Sequence, residues 1–242
     1  MFRVYCLLFF LLLLCGSCGV REALIDRQAT TVNLSRQGLK EIPEEVFFNT
    51  DVKVLKLYGN QLDSIPERIS ELVHLEKLYL GRNNIKSLPN SLGKLKNLKL
   101  ISAQYNELTN LPSSIGELEN LEQIILNQNL LDSIPKSIGN LKKLVVLQLK
   151  FNHLKELPTE LGACTNLQFI HLTQNYLEAL PEELGALRKL RELYVANAGM
   201  LLRLPDSFCG MRYLEVLEID ATTVVPTCLF VQQTTRLQIN MR

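Results

Sequence analysis

The sequence predicts an α/β solenoid in which short strands stack one per turn into a parallel sheet and short helical turns line the opposite side. Three observations lead there. The stretch Leu75–Asn97, LEKLYLGRNNIKSLPNSLGKLKN, recurs at a step of 23 residues: Leu75, Leu78, Leu80, Asn83, Ile85, Leu88, Pro89, Leu92, Gly93 and Leu95 return as Leu121, Ile124, Leu126, Asn129, Leu131, Ile134, Pro135, Ile138, Gly139 and Leu141 two units later. Inside each unit, apolar residues alternate as in Lys77-Leu78-Tyr79-Leu80-Gly81 and then fall three apart after the proline, so the period changes from that of a strand to that of a helical turn. Asparagine stands at the ninth position of six consecutive units. Fixed self-similarity at such a period marks a stacked array, because one unit is too small to bury its own apolar face.

Residues 1–20 read as a signal peptide: Arg3, an apolar run from Val4 to about Cys15, then the small residues Gly16, Ser17, Cys18 and Gly19. The run is short for a membrane-spanning helix, which needs about 20 apolar residues. Retention as a signal anchor, and a lipid anchor at Cys18, stay open as alternatives. Residues 21–28 are a charged lead-in that caps the array. Residues 29–220 hold about eight full repeats and a partial ninth, beginning at Ala29, Val52, Leu75, Leu98, Leu121, Leu144, Leu167, Leu190 and Leu214. The eighth is one residue longer than the others, with Ala198 at the asparagine site, so Ala196–Met200 is expected to bulge with Gly199 supplying backbone freedom. Beyond Ile219 the pattern fades, and 221–242 reads as a C-terminal cap.

The spacing LxxLxLxxNxL, joined to LPxxIGxL, resembles the leucine-rich repeat family, in particular its plant, Ras-suppressor and bacterial members. The resemblance covers most of the chain. It implies a curved right-handed horseshoe with the parallel sheet on the concave face and helical or 3-10 turns on the convex face. It also implies a non-enzymatic module that binds protein or peptide on the concave side. The cysteine-cluster caps of many animal extracellular members are missing here.

Two sets of residues follow from the unit. Asn60, Asn83, Asn106, Asn129, Asn152 and Asn175 sit where the strand ends and the chain turns inward; a buried carboxamide there satisfies backbone groups of two turns, so this ladder is structural. The strand positions that point away from the core (3, 5, 7 and 8) are free of that duty. Among them Leu100, Ile125, Val146, Phe151 and Phe169 are large apolar groups in neighbouring units, ringed by Tyr58, Tyr79, Tyr105, His171 and Tyr194. Contiguous apolar side chains with polar-tipped aromatics around them are the composition of a partner-binding surface. They are the predicted contact residues.

Several function classes are disfavoured. Outside residues 1–20 the chain has 25 basic and 25 acidic residues and no clustered basic run, which argues against nucleic acid. His74, His153 and His171 lie in separate units without a second ligand at metal spacing, so no metal site is expected. Neither a phosphate-binding glycine loop nor a nucleophile motif is present, and no cofactor or catalytic residue is predicted. Cys164 falls on a core position, and Cys209 and Cys228 are candidates for a bridge closing the C-terminal end. The expected protein is a secreted or cell-surface interaction module. A membrane-anchored or intracellular signalling scaffold and a surface glycan receptor are the alternatives, and the sequence leaves the oligomeric state open.

Overall fold

A computed structural model of the protein describes residues 29–231 and 237–242. The signal-peptide, lipid-anchor and N-terminal-cap expectations for 1–28 lie outside the described residues. Ten strands form one parallel sheet in strict sequence order: β1 (Thr31–Asn33), β2 (Val54–Lys56), β3 (Lys77–Tyr79), β4 (Leu100–Ser102), β5 (Gln123–Ile125), β6 (Val146–Gln148), β7 (Phe169–His171), β8 (Glu192–Tyr194), β9 (Val216–Ile219) and β10 (Gln238–Met241). From β1 to β8 each residue pairs with the one 23 positions on, as Lys77 with Leu100 and Leu100 with Gln123. The sheet runs one strand further than the repeat pattern is legible, because β10 pairs with β9 from within the segment expected only to cap the array.

Each of β1 to β8 is followed by a five-residue 3-10 turn that begins just after a proline, for example Ser113–Glu117 after Pro112. The proline suits this place because its carbonyl accepts the first turn bond, from Ile115, while its missing N–H is not needed. The glycine of the IG pair has a different cause. A Cβ on Gly116 would collide with the carbonyl oxygen of Ser137 in the next turn, so successive turns touch backbone to backbone. Leucine and isoleucine from both halves of each unit fill one continuous core, in which Leu78, Leu92, Leu95 and Leu98 are fully buried. Cys164 is part of it, as expected: its thiol is fully buried, donates to the carbonyl of Ile138 at 3.1 Å, and is pushed up to about 11 by burial.

A ladder of side-chain hydrogen bonds runs along the stack. Asn106 Oδ1 accepts from the N–H of Ile85 (3.0 Å), and its Nδ2 donates to the carbonyls of Leu80 and Ala103 (3.0 Å each). One side chain therefore bonds three buried backbone groups in two consecutive units. Asn60, Asn83, Asn129, Asn152 and Asn175 bond in the same way.

The irregular eighth unit departs from expectation in one respect. Gly199 does not carry the left-handed backbone; Asn197 does, with φ 53°. Glycine is needed at 199 because a Cβ there would run into the carbonyl oxygen of Leu177. The cause is the missing asparagine. In regular units the eleventh-position N–H bonds the next asparagine, but Leu177 N–H instead bonds the backbone carbonyl of Ala198 at 2.5 Å, drawing the two chains together. The extra length emerges just beyond, where Met200 is 91% exposed and Leu201 71%. At the C-terminal end α1 (Thr227–Val231) is tied to the last 3-10 turn by a disulfide between Cys209 and Cys228.

Replacing Asn106 by Ala leaves the Ile85 N–H without a partner inside the core, while the carbonyls of Leu80 and Ala103 each keep one bond, from Asn83 and Asn129. At about 1–3 kcal/mol for an unpaired buried group, a loss of roughly 2 kcal/mol in urea unfolding is expected. A change below about 1 kcal/mol would show that the ladder is not what holds adjacent turns together.

Candidate functional site

The outward face of the sheet is set by the pleat. Positions 4 and 6 of each unit, such as Leu78 and Leu80, point into the core, so positions 3 and 5 must point away. All ten predicted contact residues lie on this side, and none belongs to the buried core. Regular strand geometry ends at the fifth position, yet hydrogen bonding between units continues: Leu80 N–H reaches the carbonyl of Ser102, and Tyr105 N–H that of Asn127.

The eighth position shapes the rim. Arg36, Arg82, Tyr105, Gln128, Phe151, Gln174 and Asn197 all have φ between 53° and 60°, and only the second unit uses glycine there. A left-handed backbone is unfavourable by about 1–2 kcal/mol for such residues. It persists because the residue's N–H is bonded to the next unit on one side and the asparagine ladder follows on the other. The turn throws the side chain outward, so Tyr105 and Phe151 are 44% and 43% exposed. The Arg82 guanidinium lies 5.0 Å from the centre of the Tyr105 ring, and Lys150 Nζ 5.9 Å from that of Phe151.

The pairing register decides which residues meet. Val146 and Phe169 are direct neighbours on β6 and β7, and His171 stacks on Tyr194 across β7 and β8 with ring centres 4.8 Å apart. Leu100 is separated from Val146 by Gln123, and Ile125 from His171 by Gln148, so the apolar patch is a diagonal band broken by two amides. Tyr58 and Tyr79 stand apart from it. With Ser35, Lys56, Gly81, Ser102 and Gln104 they line a hollow of about 460 Å³ near the N-terminal end of the face.

Electrostatics at the other end were not foreseen from the sequence. Burial first, then Lys150 and Arg242, depress His171 to about 4. Tyr194 donates to Glu192 at 2.7 Å, which pushes its phenol up to about 12. Burial works to raise the Asp220 carboxyl, but hydrogen bonds from the Thr222 side chain, the amides of Asn197 and Thr222, and the Thr223 hydroxyl hold it below the usual carboxylate range. Glu218 is buried and faces Arg242 at 3.1 Å. Glu192, Glu218 and Asp220 sit at positions 3, 5 and 7, where attention to apolar letters passes them over.

A larger cleft of about 1070 Å³ lies off this face, along the edge where strands begin, lined by residues that include Gln168, Arg188, Arg191, Tyr213 and Glu215. It contains none of the predicted residues, and Arg191 and Glu215 in it are paired at 3.7 Å. Among the described residues no group of three or more His, Cys, Asp or Glu is placed to hold a metal ion. No helix among them is long and apolar enough to cross a membrane.

A family model described as a leucine-rich repeat region matches residues 49–157. No match is found among curated protein sequences. Among solved structures, an LRR protein of Leptospira interrogans is 30% identical over 86% of this chain and 59% of its own, with a TM-score of 0.66. The plant peptide hormone receptor RGFR1 in complex with RGF2 is 30% identical, over 78% of this chain and 32% of its own, at 0.68. The ectodomain of the Arabidopsis thaliana receptor kinase GASSHO1/SCHENGEN3, in complex with CASPARIAN STRIP INTEGRITY FACTOR 2, is 26% identical over 83% and 26%, at 0.70. The chain thus spans less than two thirds of the length of each.

Because His171 binds protons less readily in the folded state than at its ordinary value near 6.5, the unfolded chain takes up the extra proton between pH 6.5 and about 4. Its contribution to stability is complete above 6.5 and is lost as pH falls through that window. On the order of 2 kcal/mol of the wild-type loss between pH 7 and 4.5 should vanish in His171→Gln. Parallel urea-stability profiles for the two proteins would contradict this.

Proposed function

The chain is a leucine-rich repeat protein, of a family generally without catalysis, and from that footing we propose that it is a non-enzymatic module binding a protein or peptide on the concave sheet face. The observation that carries the proposal is the set Leu100, Ile125, Val146, Phe151 and Phe169. These side chains are left outside the core by a fold whose interior is otherwise filled. Half-buried apolar groups flanked by Tyr105, His171 and Tyr194 offer area to a partner at little entropic cost, since aromatic side chains have few rotors. Two of the similar structures are plant receptors in complex with RGF2 and CASPARIAN STRIP INTEGRITY FACTOR 2, which supports a short ligand of this general kind.

The Cys209–Cys228 disulfide supports a secreted or cell-surface location, since such bridges persist in oxidising compartments. Export by residues 1–20 belongs to the same proposal, as does the division of the chain into signal, cap, repeats and C-terminal cap. The intracellular scaffold is the weaker alternative because the bridge would be reduced there.

The test uses the full chain as bait against a peptide library, alongside Ile125→Glu combined with Phe169→Glu. Both side chains are partly solvated, so the thermal midpoint of the double variant should stay within a few degrees of wild type while captured peptides are lost. An unfolded double variant would make the face part of the core. Undiminished capture would move binding to another surface.

A further inference from the structure

We infer that the sheet face selects its partner by charge polarity. It takes an extended protein segment that is acidic where it lies over β1–β4, apolar across the middle, and basic where it lies over β8 and β9. This rests on the sheet face being the binding surface, as proposed above, and adds the chemistry and orientation of the ligand.

The register places the charges. On β1 to β4 and their rims, the outward residues include Arg36, Lys56, Lys77 and Arg82 and no carboxylate. None of the four makes an ion pair among the described residues. Arg36 lies over the Tyr58 ring at 5.8 Å and Arg82 over that of Tyr105 at 5.0 Å, contacts that orient a guanidinium without neutralising it. Lys56 lines the tyrosine-walled hollow of about 460 Å³ together with the polar side chains Ser35, Ser102 and Gln104. A cation, hydroxyls and an amide in a partly enclosed space suit an acidic side chain.

The far end is the reverse. Glu192, Glu218 and Asp220 face outward on the last units, and Arg242, at the end of β10, is the cation set against them. Glu192 is the accessible anion, while Glu218 and Asp220 are buried just beneath the surface and add to its field. Between the two ends lie Leu100, Ile125, Val146, Phe151 and Phe169 with a single charge, Lys150. Seven strand steps separate β2 from β9, roughly 34 Å at about 4.8 Å each, the reach of about ten extended residues. A polyanion would satisfy the first end and be repelled by the second, so a nucleic acid fits the gradient worse than a dipolar peptide does.

The experiment measures binding of the full chain to a synthetic fluorescent peptide of about twelve residues with a glutamate block, an apolar middle and a lysine block. An isomer of identical composition with the charges alternated is the control, and a benzophenone at the acidic end reports position. The block peptide should bind at least tenfold tighter than the isomer at low salt and lose most of that advantage in about 0.5 M salt. The benzophenone should label residues 54–105, and Lys56→Glu with Lys77→Glu should weaken binding at least tenfold. Equal affinity of the two peptides, labelling at 192–220, or indifference to the charge variant would each overturn the inference. If Ile125→Glu with Phe169→Glu abolishes binding while the charge variant does not, the face stands and the polarity falls; indifference to both removes the face itself. Displacement of the block peptide by an equally tight single-stranded oligonucleotide would point to a polyanion and also overturn it.

Discussion

Each unit of this solenoid must send its backbone across the interior once, from the end of a strand to the start of a helical turn, and buried amides on that path need partners. The ninth-position carboxamide supplies them. Asn106 holds Ile85, Leu80 and Ala103 together with one side chain whose two hydrogens and one oxygen are all used. No other side chain of similar size offers donor and acceptor in that fork. Where it is missing, at Ala198, a backbone carbonyl takes over and the chain closes up until only glycine fits at 199. That substitution measures how strong the demand for a partner is.

The outward face of the sheet follows from the same constraint. Turning inward at the ninth position forces a left-handed residue at the eighth, and a left-handed residue points its side chain out. Tyr105 and Phe151 are therefore presented to solvent by backbone bonding and not by any property of tyrosine or phenylalanine. Beside them, the pleat sends positions 3 and 5 to the same side from every strand, and parallel pairing sets them in rows. On the opposite side of the stack, backbone-to-backbone contact at Gly116 and its equivalents leaves little slack between turns. A face mounted on such a scaffold is displayed in a fixed register, which lowers the ordering cost of binding an extended chain.

Much of the fold was legible because its signals are local and repeated. Period two followed by spacing of three, a proline between them and an asparagine at a fixed place are visible in any one unit, and repetition confirms each. The core cysteine at 164 and the pairing of Cys209 with Cys228 also agree with their places in the pattern. The tenth strand was not legible, since Gln238–Met241 carries no repeat letters and joins the sheet only because β9 offers an open edge. Gly199 differs from its sequence expectation for a related reason: a lone glycine suggests backbone freedom, whereas its cause is a carbonyl of the preceding unit.

The site divides along the same line. The repeat pattern assigns letters to core and ladder, and so leaves others for display: Tyr58, Tyr79, Leu100, Ile125, Phe169 and the rest. How those letters meet depends on stacking. It put Gln123 between Leu100 and Val146, stacked His171 on Tyr194, and gathered four cations at one end of the sheet against three carboxylates at the other. The physical reason is separation along the chain. Core letters repeat and are fixed by local geometry, while side-by-side contacts and electric fields on the face join residues 23 positions apart or more, a relation that exists only once the turns are stacked.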